Sequence, residues 1–231
     1  MNSPHQYSQA ERDALDKVIR ERRDMRHFNN QAVDPKQLAH ILAAAHHAPS
    51  VGLMQPWRFL RISDNQLRQQ IQQLVEGERQ QTAAAIGDRQ EAFLRLKVEG
   101  IMDAAELLVV SLMPGREQHI FGRRTLPEMD LASVACAIQN MWLTARAEGL
   151  GLGWVSLFDP TALAKLLKIP AGGKPIAILC IGHVDDFYDR PMLEQQNWRQ
   201  GQPLQQYLFE NSWGAPSSLL SESSTEKNHE Q

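Results

Sequence analysis

Long apolar runs are missing from this 231-residue chain. No stretch approaches the roughly 18 residues that read as a spanning helix, and residues 1–10 are polar, without the apolar core of a secretion signal. The expectation is a soluble, cytoplasmic protein with no membrane association. Charge of one sign is scarce too. With 24 Lys+Arg against 27 Asp+Glu the formal net charge is -3, and the two signs are interspersed. That argues against a nucleic-acid surface and leaves room for a local basic cluster that holds one small anion. Cysteine is limited to two residues. Cys136 and Cys180 lie in the apolar contexts Ala135-Cys136-Ala137 and Leu179-Cys180-Ile181, which read as buried reduced thiols, not as a disulfide or a catalytic pair. Metal-ligand spacing is absent: His46 and His47 are adjacent instead of one helical turn apart, and His183 ends an apolar run without nearby ligand partners, so no metal is expected. There is no internal repeat and no break in composition, which makes a single core the default.

What is present is an alternation of helix and strand signals. Ser8-Gln9-Ala10-Glu11 is a capping box opening a helix through Leu15, Val18 and Ile19, and that helix delivers an arginine cluster at its C-terminal end, where cations suit the helix dipole. Asp34-Pro35 starts a second helix with Leu38, Ile41, Leu42 and Ala45 as its apolar stripe. Residues 57–62 read as a first strand, and Asp64 caps a helix through Leu67, Ile71 and Leu74. Residues 76–100 are rich in Gln and Arg with sparse apolar positions, the pattern of exposed or mobile helical material able to act as a lid. Residues 107–112 form a continuous apolar run, expected as a buried strand, followed by a loop with Arg116, Arg123 and Arg124. Thr125-Leu126-Pro127-Glu128 is expected to cap the longest helix, with Met129, Ala132, Ala135, Cys136, Gln139, Trp142 and Leu143 at helical spacing. Residues 152–157 and 175–182 read as third and fourth strands, with Asp159-Pro160 opening a short helix between them. From Asp185 onward little is regular until Leu204, Leu208 and Phe209, which reads as an arm that packs on a second subunit. Residues 215–231 are expected to be a disordered tail.

Three strings carry candidate chemistry. Arg22-Arg23-Asp24-Met25-Arg26 places a carboxylate among three guanidinium groups. It reads either as an anion-binding site with a base inside, the acid held ionised with a lowered pKa, or as a solvated helix end with ordinary ion pairs. The loop from Ala48 through Pro49, Ser50, Gln55, Pro56 and Trp57 is fixed by two prolines. Its Ser50 hydroxyl and Gln55 amide suit the edge of a heteroaromatic ligand, the alternative being a plain proline-rich turn. Gly149-Leu150-Gly151-Leu152-Gly153 runs from helix into strand, the reverse of the dinucleotide-binding turn, so that fingerprint is rejected. It remains either a helix C-cap or a place where backbone amides approach a flat ligand, with Ser156 following on the strand.

Taken together, these strings occur in the order and spacing of the nitroreductase-like flavoproteins, and the chain to Gly214 resembles that superfamily. The resemblance is strongest to its flavin-cleaving branch, the 5,6-dimethylbenzimidazole synthases, since ordinary nitroreductases usually carry Ser where Asp24 stands and often Asn where Leu53 stands. The resemblance implies an α+β fold, a central mixed or antiparallel sheet flanked by helices, in a single domain over residues 1–214 with a lid at about 76–103 and a C-terminal arm exchanged in a homodimer. It implies that Arg22, Arg23 and Arg26, with Met25 beside them and Arg199 on the arm, hold the FMN phosphate and ribityl chain. Pro49, Ser50 and Gln55 would reach the flavin from the partner subunit. Gly151 and Ser156 would face the reactive edge of the ring, with Lys97, Glu99 and Gly100 on the lid. Reduced FMN would be the substrate and dioxygen the co-substrate, giving dimethylbenzimidazole, the lower ligand of cobalamin, and erythrose 4-phosphate. Asp24 would accept the proton from the ribityl carbon joined to the ring, assisted by Ser156, and a separate flavin reductase would supply reduced FMN. Two other readings stand beside it: an NAD(P)H-dependent nitroreductase or flavin reductase of the same fold, and a flavin carrier without turnover.

Overall fold

The structure, a computed structural model, describes residues 4–220. Residues 221–231, most of the expected tail, lie outside the described residues; Ser218–Leu220, just before them, form one 3-10 turn. The chain divides into two compact units, Met1–Pro191 and Met192–Gln231.

In the first unit the sequence signals are realised in order. Helix α1 (Gln9–Glu21) opens on the Ser8 capping box, with Ser8 and Glu11 bonded reciprocally. Helix α2 (Pro35–His46) begins with Asp34 accepting from the Lys36 N–H and Pro35 in the first turn. Strands β1 (Trp57–Arg61), β2 (Glu106–Leu112), β3 (Gly151–Val155) and β4 (Lys174–Gly182) form one sheet of order β1-β2-β4-β3. Its three strand pairs are all antiparallel, and the fold is α+β. A parallel bridge, Asp24 to Leu152, lies against the outer edge of β3.

Both faces of this sheet are covered, which explains why the two central strands read as unbroken apolar runs. Leu108, Val110 and Leu112 of β2 and Ala177, Leu179 and Ile181 of β4 enter one core with α2 and with helix α5 (Met129–Ala147). Their alternates, Leu107, Val109, Ile178 and Cys180, enter a second core with helices α3 (Asn65–Ile86) and α6 (Pro160–Leu166). Cys180 is fully buried there, and loss of water pushes its thiol up to about 12.

Three expectations need correction. The longest helix is α3, at 22 residues against 19 for α5. Second, α5 starts at Met129 on Glu128, which is already helical and makes no side-chain cap bond, so the Thr125 to Glu128 capping signal is not used. Third, Cys136 on α5 is exposed, not a buried thiol. Val134, Ala137, Ile138 and Met141 are buried, whereas Ala132, Cys136 and Gln139 are exposed, so Cys136 is not a core thiol. Val134, Ile138 and Met141 bring more apolar surface to the core than Ala132, Cys136 and Gln139 would. The segment from Glu76 is also better packed than its composition predicts. The helix α3 runs on to Ile86 and is followed by helix α4 (Gln90–Leu94), with Val75, Ala83, Phe93 and Leu96 buried.

The second unit holds helix α7 (Met192–Gln195) and a 3-10 turn at Leu204–Gln206. Phe209 bridges Pro216 and stacks obliquely on Trp213 at 5.3 Å. Leu204, Tyr207 and Trp213 are exposed.

Two local arrangements fix the positions that matter for function. Residues 24–26 lie so close to β3 that a Cβ built on Gly153 would clash with the Met25 carbonyl oxygen, and one on Gly151 would crowd the Met25 side chain at 3.1 Å. Only hydrogen fits there. The loop between β2 and α5 is pinned by Asp130, 5 % exposed, which takes Arg116 Nε at 2.7 Å and Arg123 Nη2 at 3.0 Å.

Gly153→Ala is therefore expected to lower stability by about 2–3 kcal/mol by forcing residues 24–26 off the strand, read as a drop in the urea midpoint; a loss under about 0.5 kcal/mol would mean the segment yields freely. Asp130→Ala, which takes the shared carboxylate from the buried Arg123 and the partly buried Arg116, should cost about 3–5 kcal/mol, with a parent-like midpoint as the contrary result.

Candidate active site

Asp24 is the centre of the site. Its backbone pairs with Leu152 at the edge of β3, and the Met25 N–H donates to the Leu152 carbonyl at 3.1 Å. That register turns the side chain along the strand, where Oδ1 accepts from the Trp154 N–H at 3.0 Å and Oδ2 accepts from Arg26 Nη2 at 2.5 Å. Arg26 Nη2 also donates to the Trp154 carbonyl at 2.8 Å. Met25 is completely buried and serves as the anchor of the segment.

The sequence predicts a lowered pKa for Asp24, and the structure reverses the direction. Removal from water is the largest influence and pushes the carboxyl above its ordinary value of 3.8, while Arg26, the Trp154 N–H and Arg22 hold it back only in part. Protein surrounds the group on most sides even though 41 % of the side-chain surface still opens to the cleft. A carboxylate so placed is a stronger base than a solvated aspartate.

The cleft is a cavity of about 790 Å³, within the usual range for small-ligand sites. Asp24, Arg116, Trp142, Trp154, Ser156 and Phe158 line it together. Both expected catalytic residues, Asp24 and Ser156, therefore meet in one cavity. The indoles of Trp142 and Trp154 stand 6.3 Å apart at 48° and supply aromatic walls.

The arginines divide their tasks. The Arg22 guanidinium lies over the Trp142 ring at 4.6 Å and donates no hydrogen bond among the described residues. Arg23 donates to the carbonyls of Arg20, Arg22 and Asp189 and so knits the turn. Arg26 is buried. Arg199 is exposed in the second unit.

The Pro49 to Gln55 loop is built as a rigid unit. The Ser50 hydroxyl accepts from the Gln55 N–H at 3.0 Å, and the Val51 N–H donates to Ser133 Oγ at 3.0 Å. Leu53 and Gln55 both hold positive φ, 51° and 48°, strain that persists only where surroundings enforce it. Gln55 lines a separate cavity with His46, Met54 and Trp57, so one chain does not bring this loop to Asp24. Gly151 is buried against Met25 and Val184. Lys97 pairs with Asp103 at 2.5 Å, Glu99 caps the Ile101 N–H, and Gly100 lies under the Phe28 ring.

The sequence names Gly153 only within its glycine turn and does not point to Trp142, Phe158 or the Asp130 cluster as parts of the site. The third glycine of Gly149-Leu150-Gly151-Leu152-Gly153 was the available signal for the first, and the opposed charges of Arg116, Arg123 and Asp130 for the last. Among the described residues no group of His, Cys, Asp and Glu is arranged to hold a metal ion, and no helix is long and apolar enough to cross a membrane.

The chain is similar to known proteins in family profile, in sequence and in fold. The profile described as "Nitroreductase family" matches residues 19–183. A 5,6-dimethylbenzimidazole synthase from Rhodospirillum rubrum is 41% identical over 197 residues, covering 83% of this chain and 92% of that protein. One from Rhodobacter capsulatus is 37% identical over 201 residues, covering 86% and 97%. Among solved structures, oxidized iodotyrosine deiodinase bound to FMN and 3-iodo-L-tyrosine superposes with a TM-score of 0.63 at 25% identity, covering 76% of this chain and 92% of that one. On the match over residues 19–183 and the extent of these likenesses, the chain belongs to the nitroreductase family.

Proposed function

We propose that this protein is a 5,6-dimethylbenzimidazole synthase that consumes reduced FMN and dioxygen, with Asp24 as the proton acceptor. The observation that carries the reading is the Asp24 carboxylate: it is held by a donor on each oxygen, raised in pKa, and opens into a cavity with aromatic walls. The curated relatives of that name support the same conclusion.

The residues present suit a flavin mononucleotide. Trp154 offers a flat surface for a ring system, and the Arg22 guanidinium, stacked on Trp142, has N–H groups that make no hydrogen bond among the described residues and suit a phosphate. Reduced FMN itself supplies the electrons that activate oxygen. The chain's own tasks are to anchor the phosphate through Arg22, with Arg199 as a further cation, and to take a proton from the ribityl carbon next to the ring at an Asp24 oxygen. Ser156, on the same cavity wall, holds the ring edge by its hydroxyl. The helical segment 76–103 acts as the lid that excludes water and competing reductants. A separate flavin reductase supplies the reduced substrate.

A homodimer completes the site in this reading, with Pro49, Ser50 and Gln55 approaching the ligand from the second subunit and the C-terminal arm exchanged. Uncovered apolar surface supports it: α1 has no buried residue, its Leu15 and Ile19 are about half exposed, and Phe121 and Leu131 are exposed as well.

Photoreduced FMN mixed with the protein and air should yield dimethylbenzimidazole by mass spectrometry. Asp24→Asn should bind FMN with parent-like affinity yet form product roughly 10²-fold more slowly, returning oxidised FMN. In the parent, product formation should fall on the acid side as Asp24 is protonated, with a midpoint above 3.8, and that limb should vanish in the variant. Parent-rate turnover by Asp24→Asn would reduce the carboxylate to an ion-pair partner, and steady NADH oxidation with flavin intact would favour the nitroreductase reading. Sedimentation should give a dimer; a folded monomer that turns over substrate would sink the shared site.

A further inference from the structure

The main chain around Arg22 is tied down on both sides, and helix α5 supplies half of the ties. The Arg22 N–H donates to the Val18 carbonyl at 3.0 Å, closing α1, and the Arg22 carbonyl accepts from Arg23 Nη1 at 2.8 Å. The two flanking carbonyls are taken by α5. Trp142 Nε1 donates to the Arg23 carbonyl at 3.0 Å. Arg146, one helical turn further on, donates to the Glu21 carbonyl through Nε at 3.4 Å and to the Glu21 carboxylate through Nη2 at 2.7 Å. On this fixed backbone the half-buried Arg22 side chain sets its guanidinium over the Trp142 ring, with Cζ 4.6 Å from the centroid. A ring face holds a cation without using its N–H donors, and the attraction grows as water is removed. The same indole borders the cavity, so the cation rests on a ring that the cavity reaches.

We propose that Trp142 is a positioning residue that holds the Arg22 guanidinium ready for the ligand's phosphate, and that the preference for a phosphorylated flavin over the same flavin without its phosphate depends on it. The inference rests on the reading of the cavity as an FMN site with Arg22 at the phosphate. A free arginine side chain loses rotamer entropy when it grips an anion, and one already held on a ring has lost much of it before the anion arrives. Trp142 suits both halves of the task. Its N–H fixes the main chain one residue beyond Arg22, and its face fixes the side chain. Phenylalanine could do only the second, and an aliphatic residue neither. Arg23 and Arg26 add their own charge to the cluster, so loss of Trp142 should weaken the grip and not abolish it.

The test compares FMN with riboflavin, which lacks only the phosphate, in the full chain carrying Trp142→Phe, Trp142→Met, Arg22→Gln, or the last two together. Affinities of the oxidised flavins are read by fluorescence quenching, and the ratio of FMN to riboflavin affinity isolates the phosphate. Arg22→Gln should lower that ratio about tenfold or more. Trp142→Met should lower it about five- to tenfold with riboflavin affinity within about twofold of the parent, and Trp142→Phe, which keeps a ring face, should hold it within about twofold. In the double variant the change at Trp142 should add less than about twofold to the loss from Arg22→Gln, because its effect acts through a guanidinium already removed. In turnover, Trp142→Met should raise KM for reduced FMN and leave kcat unchanged. Equal losses for FMN and riboflavin in Trp142→Met would make the indole a wall for the flavin ring, and a full further loss in the double variant would make it act without Arg22. Either result overturns the proposal, as does an unchanged ratio. If circular dichroism shows Trp142→Met unfolded, NMR of the Arg22 Nε–H in the ligand-free parent decides: a ring-current-shifted, motionally restricted signal supports the proposal, and one as mobile and unshifted as that of an exposed arginine overturns it. A parent that binds both flavins alike has no phosphate grip for Trp142 to serve and overturns the proposal too. A parent that discriminates between them yet makes no dimethylbenzimidazole sinks the functional reading alone.

Discussion

The close approach of residues 24–26 to β3 is the constraint on which the site depends. Because Gly153 leaves room for the Met25 carbonyl, the Asp24 backbone can pair with Leu152, and its carboxylate can reach the Trp154 N–H two residues along the strand. Every later feature inherits this register. The burial of Met25, the bridge formed by Arg26 and the stacking of Arg22 on Trp142 all assume that the segment lies in that groove. A side chain at position 153 would displace Asp24 without itself lining the cavity.

Much of this was legible in the sequence, for identifiable reasons. Capping at Ser8, Asp34, Asp64 and Asp159 is local chemistry, and all four residues cap helices as expected. The runs at β2 and β4 announce strands buried on both faces, since only such strands omit alternation. The strings around Asp24 and Ser156 are brought to one cavity, a result that spacing alone could suggest and tertiary packing had to deliver.

What was illegible depended on competition between long-range effects. Which stripe of α5 faces inward is decided by what the sheet and α2 leave to be filled, and Ile138 and Met141 fill it better than Cys136 and Gln139. The direction of the Asp24 shift is a balance between dehydration and attraction, and sequence shows the cations but not how much water the fold removes. Arginine identity was equally uninformative about role. Arg22, Arg23 and Arg26 look alike in the string, and their burial separates them into a stacked fork, a turn tie and a strut beneath a carboxylate.

The buried Cys180 has a chemical consequence. The thiolate, not the thiol, attacks peroxides, and a thiol pushed up to about 12 stays protonated at neutral pH. Reduced flavins in air release hydrogen peroxide, and this sulfur sits one strand away from the edge where such a ligand would lie. Its burial keeps this one sulfur of the second core redox-silent by excluding water, a protection that the exposed Cys136 does not share.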